Sequence, residues 1–500
     1  MGGGAATSSP TNSVYSSSAA AGIQRHASST GLNESGNLPR NSSQTFRAPF
    51  LSPASRPSSS LWSPPSYAGF SGAGGPPSPH LSPSVSTSAL ALALPKPKAP
   101  LPSTRLPEKL GKEDKPWLVK KDKHTKIGWW LTFSMILLGL CGAGALAWSG
   151  TRNVFVIKDS QLCLVMQDDF DTLDLTNNWS KDIELGGFGN GEFQMTTDSS
   201  DNMYINDGQL YIVPTLTSDT LGTDAIFNGG NYTLDNCSTD NSTACSVSSS
   251  SDTDTVINPV MSGRLNTKGK VTLQYGKVEI RAKLPTGDWL WPAIWMLPED
   301  NEYGEWPMSG EMDIMEARGN KPSAQGQGTN FVRSSLNYGP LDSLTHTIFG
   351  WYSLKRTTLA QGFHTYSVEW TGDFMRFYTD SRLNAMLDLR TRNEKESFWN
   401  QAGFPETAQN GSSKVVINNI YSGGANSAPF DKSFYLLIDL AVGGTSGWFP
   451  DGVDGKPWYD ASSTAMHDFA KAQDTWHATW PSNVNDLAFR IDYVKMWKLC

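Results

Sequence analysis

The chain has 500 residues, 38% of them hydrophobic and 18% charged, which is enough for one or two domains with cores of their own. A formal net charge of −8 excludes the basic footprint of a general nucleic-acid binder. The 18 tryptophans suit both core packing and stacking on the apolar face of a sugar ring, and composition does not choose between the two.

In chain order, residues 1–126 come first and are dominated by Ser, Pro, Ala and Gly, as in "SRPSSSLWSPPSYAGFSGAGGPPSPH". Such a segment cannot bury enough apolar surface to offset its ordering entropy, so a disordered tail is expected. Residues 127–148, "IGWWLTFSMILLGLCGAGALAW", carry no charge. As a helix they span about 33 Å, enough to cross a bilayer core of roughly 30 Å. Trp129, Trp130 and Trp148 lie at the two ends, where interfacial aromatics settle. The alternative is a buried helix of a soluble protein, and the distance from Met1 argues against a cleaved signal peptide. Lys109, Lys112, Lys115, Lys120, Lys121, Lys123 and Lys126 precede the span, whereas only Arg152 and Lys158 closely follow it. That bias predicts a single-pass protein with a cytosolic N-terminus and everything after residue 148 luminal or extracellular.

Cysteine usage fits that topology. Beyond Cys141 in the span there are four, and an even number in an oxidising compartment predicts disulfides. Cys237 and Cys245 flank a short polar loop and are expected to pair, leaving Cys163 with Cys500 to tie the domain's ends together. Acceptor sequons for N-glycosylation occur at Asn178, Asn231, Asn236, Asn241 and Asn410, all on the same side of the span.

After a stalk at 149–164, residues 165–500 read as β. Short alternating or β-branched runs recur, among them "GQLYIVP" (208–214), "YGKVEIRAKLP" (275–285), "FHTYSVEWT" (363–371), "FMRFYTD" (374–380), "FYLLIDLAVGG" (434–444) and "LAFRIDYVKMWKL" (487–499), separated by Gly, Asn, Asp and Pro. In "KVEIRAKL" Val278, Ile280, Ala282 and Leu284 share one face and Lys277, Glu279, Arg281 and Lys283 the other, as in a half-buried strand. Many such strands predict an all-β sandwich or jelly roll. The stretch 235–255 reads as a polar surface loop.

One segment concentrates charge. "GEMDIMEARGN" (310–320) places Glu311, Asp313 and Glu316 among Met312, Ile314 and Met315. On a helix Glu311 and Glu316 would point roughly 140° apart and could not cooperate. On a regular strand Glu311 and Asp313 share a face and Glu316 takes the other. A β-bulge near 314–315 returns Glu316 to the side of its partners. Facing solvent, the three acids are a charged outer surface. In a cleft they cannot all stay ionised, which is the arrangement a retaining glycosidase needs: one carboxylate to attack, one carboxylic acid to protonate the leaving oxygen.

"LWPAIWMLPEDNEYGEWPMSGEMDIMEARGN" (290–320) resembles the laminarinase-like members of glycoside hydrolase family 16, whose signature is Glu-x-Asp-x-x-Glu in its bulged form. "YGKVEIRAKLP", "FHTYSVEW", "PFDKSFYLLIDLAVGG" and "IDYVKMW" look like further family blocks in order, so the resemblance covers roughly 165–500. It implies a concanavalin A-like β-jelly roll of two curved antiparallel sheets with the acids on the concave side. Matched residue by residue, Glu311 would be the nucleophile, Glu316 the general acid/base, and Asp313 the group that orients the nucleophile and tunes the shared proton. Trp291, Trp295 and Trp448 fall in blocks that line the groove of such relatives, with core packing as the other reading of each. Arg318 is expected either to contact substrate or to pair with a surface acid, and His364 to satisfy a buried hydrogen bond without a catalytic role. Two departures stand out. Where many laminarinases read Leu-His-Trp-Gly this chain has "SLNYG", with Asn337 as a candidate substrate contact, and Asp439 replaces an Asn before "LAVGG".

A disordered tail, one span and a family 16-like domain together resemble fungal membrane proteins of β-1,6-glucan assembly. The resemblance therefore implies a retaining β-1,3-glucan endo-hydrolase or transglycosylase working on a cell wall. A non-enzymatic β-glucan-binding module, or a scaffold or trafficking factor acting through the tail, are the other readings; the presence of all three acids favours the enzyme. No cofactor is required. A structural calcium is compatible with the sequence but no ligand cluster stands out, and the sequence is silent on oligomeric state.

Overall fold

The structure, a computed structural model, describes residues 108–119, 122–152 and 154–500. Most of the expected disordered tail, 1–107 with 120 and 121, lies outside the described residues. Within them the tail expectation needs correction, because Pro116–Val119 form a helical turn and the long helix starts at Lys123 rather than at 127. Asp122 explains the earlier start: its Oδ1 accepts the backbone N–H of His124 at 2.9 Å and its Oδ2 the Thr125 hydroxyl, satisfying donors that an uncapped helix leaves open. The helix, Lys123–Arg152, has no buried residue and is long and apolar enough to cross a membrane.

The rest is the expected sandwich of antiparallel sheets. Eight strands form the cleft sheet: β1 (Ser180–Lys181), β2 (Arg264–Asn266), β3 (Thr272–Leu273), β4 (Leu290–Pro298), β5 (Glu311–Ala317), β6 (Phe331–Tyr338), β7 (His346–Ser353) and β8 (Phe434–Val442). Their spatial order is β7-β6-β5-β4-β8-β2-β1, with β3 also on β8. The second sheet runs from Ala385–Arg390 through Phe374–Thr379, His364–Trp370, Gly276–Lys283, Phe489–Leu499 and Gln209–Ile212 to Met203–Asn206, and Leu162–Asp168 pairs with Phe489–Leu499. Period-2 alternation sends one side chain of each pair between the sheets. Val278 and Ile280 from the second sheet meet Ile294, Met312, Leu436 and Ile438 from the cleft sheet in one buried core.

Both expected disulfides form. Cys163–Cys500, with Cα atoms 5.3 Å apart, closes the domain's ends; Cys237–Cys245, at 5.7 Å, closes a hairpin. The polar stretch 235–255 is more structured than a plain loop, since Ser246–Ser248 pairs with Asn231–Thr233. Leu234, Val256 and Ile257, at the two ends of this insertion, join Ile183 and Leu185 in a second small core. The Leu185 N–H donates to the Ala244 carbonyl at 2.8 Å, so the insertion braces the start of the 186–192 loop. Asn231, Asn236, Asn241 and Asn410 are exposed; Asn178 is half-buried.

Beyond the long helix, the stalk docks on the second sheet. Phe155 packs on Phe374 with ring centroids 5.7 Å apart, Arg376 donates to the Phe155 carbonyl at 2.8 Å, and Ile157 is buried.

Candidate active site

Pairing around β5 locates the bulge. Against β6, Asp313 lies opposite Ser335 and Glu316 opposite Arg333, so three steps on β5 answer two on β6. Against β4, Asp313 faces Trp295 and Met315 faces Ile294, leaving Ile314 as the extra residue. The Ser334 hydroxyl donates to the Ile314 carbonyl at 2.7 Å and takes up an acceptor that the broken ladder frees. Met312, Ile314 and Met315 are all fully buried on the core side. Apolar burial thus drives the bulge, and the bulge puts Glu311, Asp313 and Glu316 on the same cleft wall.

Side chains from β6 join the three acids. Asn337 Nδ2 donates to Glu311 Oε1 at 2.8 Å and to Asp313 Oδ2 at 3.0 Å. Ser335 Oγ lies 2.6 Å from Asp313 Oδ2 and 3.2 Å from Glu316 Oε2. Arg333 donates to Glu316 Oε2 through Nη2 at 2.9 Å and Nε at 3.3 Å, and Trp291 Nε1 to Glu316 Oε1 at 3.2 Å. A continuous polar ladder therefore runs from Glu311 to Glu316.

Three carboxylates with one ion-paired guanidinium among the described residues, that of Arg333, cannot all be ionised in a desolvated wall. Burial, followed by repulsion from Glu316, pushes Glu311 up to about 7. Burial, then Glu311 and Glu316, holds Asp313 well above the usual carboxylate range. The set keeps a proton near neutrality, which general acid–base chemistry needs.

The cleft has a volume of about 350 Å³ and continues past Glu311 into a second chamber of about 390 Å³ lined by Phe188, Trp295, Trp306 and Tyr435. Past Glu316 it opens along Arg318, Trp351 and Trp448. The expected tryptophans all reach this groove. Trp291 stacks on Trp448 with centroids 5.1 Å apart at an interplanar angle of 13°, and Trp295 donates to Asp439 Oδ1 at 2.6 Å. Trp291 and Trp448 also belong to the buried core, so core packing and groove lining are not alternatives here.

Arg318 and Asn337 both line the cleft, each already hydrogen-bonded within the protein. Among the described residues Arg318 has no ion pair with a surface acid: it donates to the Gly326 and Trp448 carbonyls and to Gln327 Oε1, and its guanidinium lies 4.3 Å from the Trp448 ring centroid. Burial pulls its pKa down to about 10. Asn337 lines the cleft, but its Nδ2 is engaged by Glu311 and Asp313 and its Oδ1 accepts the Thr347 hydroxyl, so it orients the acids. His364 belongs to the second sheet and pairs with Asp380 at 2.8 Å in a half-buried setting.

Sequence reading missed Arg333 and Ser335, and the 186–192 loop that brings Asn190 and Glu192 to the cleft. The alternation of "FVRSSLNY" was a usable signal: Arg333, Ser335 and Asn337 share a parity, and Asn337 was already marked. Asp439, noted only as a departure, lines the cleft, and burial pushes it up to about 7. Among the described residues no cluster of His, Cys, Asp or Glu is placed to hold a metal ion.

Comparison with known proteins points to one family. The profile described as "Glycosyl hydrolases family 16" matches residues 231–432. A β-1,3-glucan-binding protein of Penaeus monodon is 39% identical over 350 residues, covering 67% of this chain and 90% of that protein. The glucan endo-1,3-beta-glucosidase A1 of Niallia circulans is 33% identical over 292 residues; the match covers 56% of this chain but only 34% of that enzyme's length. Among solved structures, the laminarinase from Rhodothermus marinus is similar at 25% identity, covering 68% of this chain and 98% of that one, with a TM-score of 0.41.

Proposed function

The chain belongs to glycosyl hydrolase family 16, and from that premise we propose that it is a retaining endo-acting hydrolase or transglycosylase of β-1,3-linked glucan. One observation carries the reading: three carboxylates joined through Asn337 and Ser335 in a groove that continues past both ends of the set. A groove open at both ends admits the interior of a polymer. In the proposed reaction Glu311 attacks the anomeric carbon while Glu316 protonates the leaving oxygen, forming a glycosyl ester. Glu316 then deprotonates the acceptor, and water gives hydrolysis whereas a sugar hydroxyl gives transfer. Trp448, Trp291 and Trp295 supply apolar faces for sugar rings.

The same proposal makes the long helix a membrane anchor, with the tail cytosolic and the glucanase domain luminal or extracellular. Seven lysines before the span, two disulfides and four exposed sequons after it support that topology. In that setting the natural substrate is wall glucan under assembly or remodelling, in keeping with the resemblance to fungal wall proteins.

A second reading is glucan binding without turnover, favoured by the 39% identity to a protein described as glucan-binding. The test is product analysis of the detergent-solubilised full chain on laminarin, pustulan and mixed-linkage glucan, beside Glu311→Gln. New reducing ends mean hydrolysis and longer chains mean transfer. Saturable binding with no new product at any pH supports the binding reading and ends the enzymatic one.

A further inference from the structure

Counting hydrogens around Glu316 exposes a problem. Its two oxygens face Trp291 Nε1 and two nitrogens of Arg333, all obligatory donors, with Ser335 Oγ beside them. A carboxylic acid O–H could only turn onto Ser335, from an Oε2 that already accepts from both Arg333 nitrogens, so this shell favours the carboxylate form of Glu316. The residue assigned to protonate the leaving oxygen therefore lacks its proton at rest.

Ser335 points to where that proton is. Its hydroxyl, fully buried, lies 2.6 Å from Asp313 Oδ2 and 3.2 Å from Glu316 Oε2. A serine has one hydrogen to give. With both acids ionised, one of these contacts would press an oxygen lone pair on a carboxylate. With one proton on Asp313, both are satisfied: Asp313 donates to Ser335 Oγ, and Ser335 donates to Glu316.

We propose that Ser335 relays the catalytic proton, which rests on Asp313 and passes through the serine hydroxyl to Glu316. This rests on the glucanase reading above. In the transfer the Asp313 Oδ2–H bond breaks as a new Oγ–H bond forms, and the original Oγ–H bond breaks as a Glu316 Oε2–H bond forms. Asp313 ends as a carboxylate, Glu316 as an acid and Ser335 unchanged, so no co-reactant is needed. In the second half-reaction the proton that Glu316 takes from the acceptor returns by the same path.

The surroundings suit this role. Glu311 shares the strand, Arg333 flanks Glu316 on β6, and Asp439 faces from β8. On β7, Phe349 lies opposite Ser335 and brings no charge. Burial and the flanking glutamates favour the protonated form of Asp313. Ser335 touches neither substrate nor the reacting atoms, so it is a positioning residue.

The test uses the full chain in detergent with two substrates, a β-1,3-gluco-oligosaccharide and a dinitrophenyl β-laminaribioside, whose leaving group needs no proton. Ser335→Ala is expected to lower kcat on the oligosaccharide about 100-fold with KM within about threefold. Its kcat/KM on the aryl glycoside stays within about threefold of the parent. Ser335→Thr, which keeps the hydroxyl, restores the oligosaccharide rate to within about tenfold. Ser335→Cys fills the space but relays poorly, and shows the same split if the alanine variant does not fold. Equal losses on both substrates, or no loss on the oligosaccharide, overturn the relay while leaving the glucanase reading intact. An unmodified chain that turns over neither substrate overturns both.

Discussion

Each sheet buries carboxylates, and the two neutralise them differently. On the second sheet Glu369 is fully buried, and its Oε1 is met by Arg382 at 2.5 Å and by the Tyr378 hydroxyl at 3.0 Å, so one acid has one cation. On the cleft sheet Glu311, Asp313 and Glu316 have, among the described residues, one ion-paired arginine, Arg333 on Glu316. A matched pair serves the fold; an unmatched surplus of carboxylates must hold a proton, and a held proton is the raw material of acid–base chemistry.

Swapping the same substitution between the two sites gives the largest contrast. Glu311→Gln is expected to lower kcat on laminarin by roughly 10⁴-fold or more, because the attacking oxygen is lost. Glu369→Gln should leave kcat within about threefold and instead cost about 1–3 kcal/mol of stability, since Arg382 and Tyr378 lose a charged acceptor. Steady-state rates and denaturant melts of both variants check the pair. If Glu369→Gln proves the more damaging to rate, the division between the sheets is wrong.

The next contrast is in pH. Glu311 is pushed from an ordinary 4.5 to about 7. A carboxyl raised by folding stabilises fully below 4.5, and that contribution is lost as pH rises through about 7. The same ionisation produces the nucleophile, so kcat/KM should fall about tenfold per pH unit below an apparent pKa near 7. Melting temperature should meanwhile decline between pH 4.5 and 7 in the parent and decline less in Glu311→Gln. Melts of the two proteins across that range decide it.

Aromatic truncation sharpens the comparison on a smaller scale. Trp448→Ala removes a ring that stacks on Trp291 and lies 4.6 Å from the Arg333 guanidinium. It should raise KM for laminari-oligosaccharides about tenfold, in line with losing 1–2 kcal/mol of stacking and positioning. Phe374→Ala, on the second sheet under the docked stalk, should leave KM unchanged. The smallest effect on activity is expected from Cys163→Ser with Cys500→Ser, which removes a long-range staple worth about 2–4 kcal/mol while touching nothing in the cleft. A shift in thermal midpoint with an unaltered rate at 25 °C is the expected result.

Much of this was legible in the sequence because it rests on local physics. "KVEIRAKL" alternates as strands do, and a bulge near 314–315 is what gathers the three acids of "EMDIMEA" on one side of a strand. The partners on β6 were harder, since parity in "FVRSSLNY" says which residues travel together but not which face meets the acids. Asn190 and Glu192 were invisible because the loop that carries them is held at the cleft by long-range backbone bonds, Thr445 N–H to the Asn190 carbonyl and Phe193 N–H to the Val442 carbonyl, which have no local signature. The early start of the long helix turned on Asp122, a cap that a search for uncharged runs passes over.

The central claim is that Glu311 and Glu316 act in two successive displacements at one anomeric carbon. Proton NMR of the first product released from laminarin, before mutarotation, tests it most directly. The account predicts the β-anomer, with Glu311→Gln giving no product. Release of the α-anomer, or cleavage that survives Glu311→Gln, would contradict it.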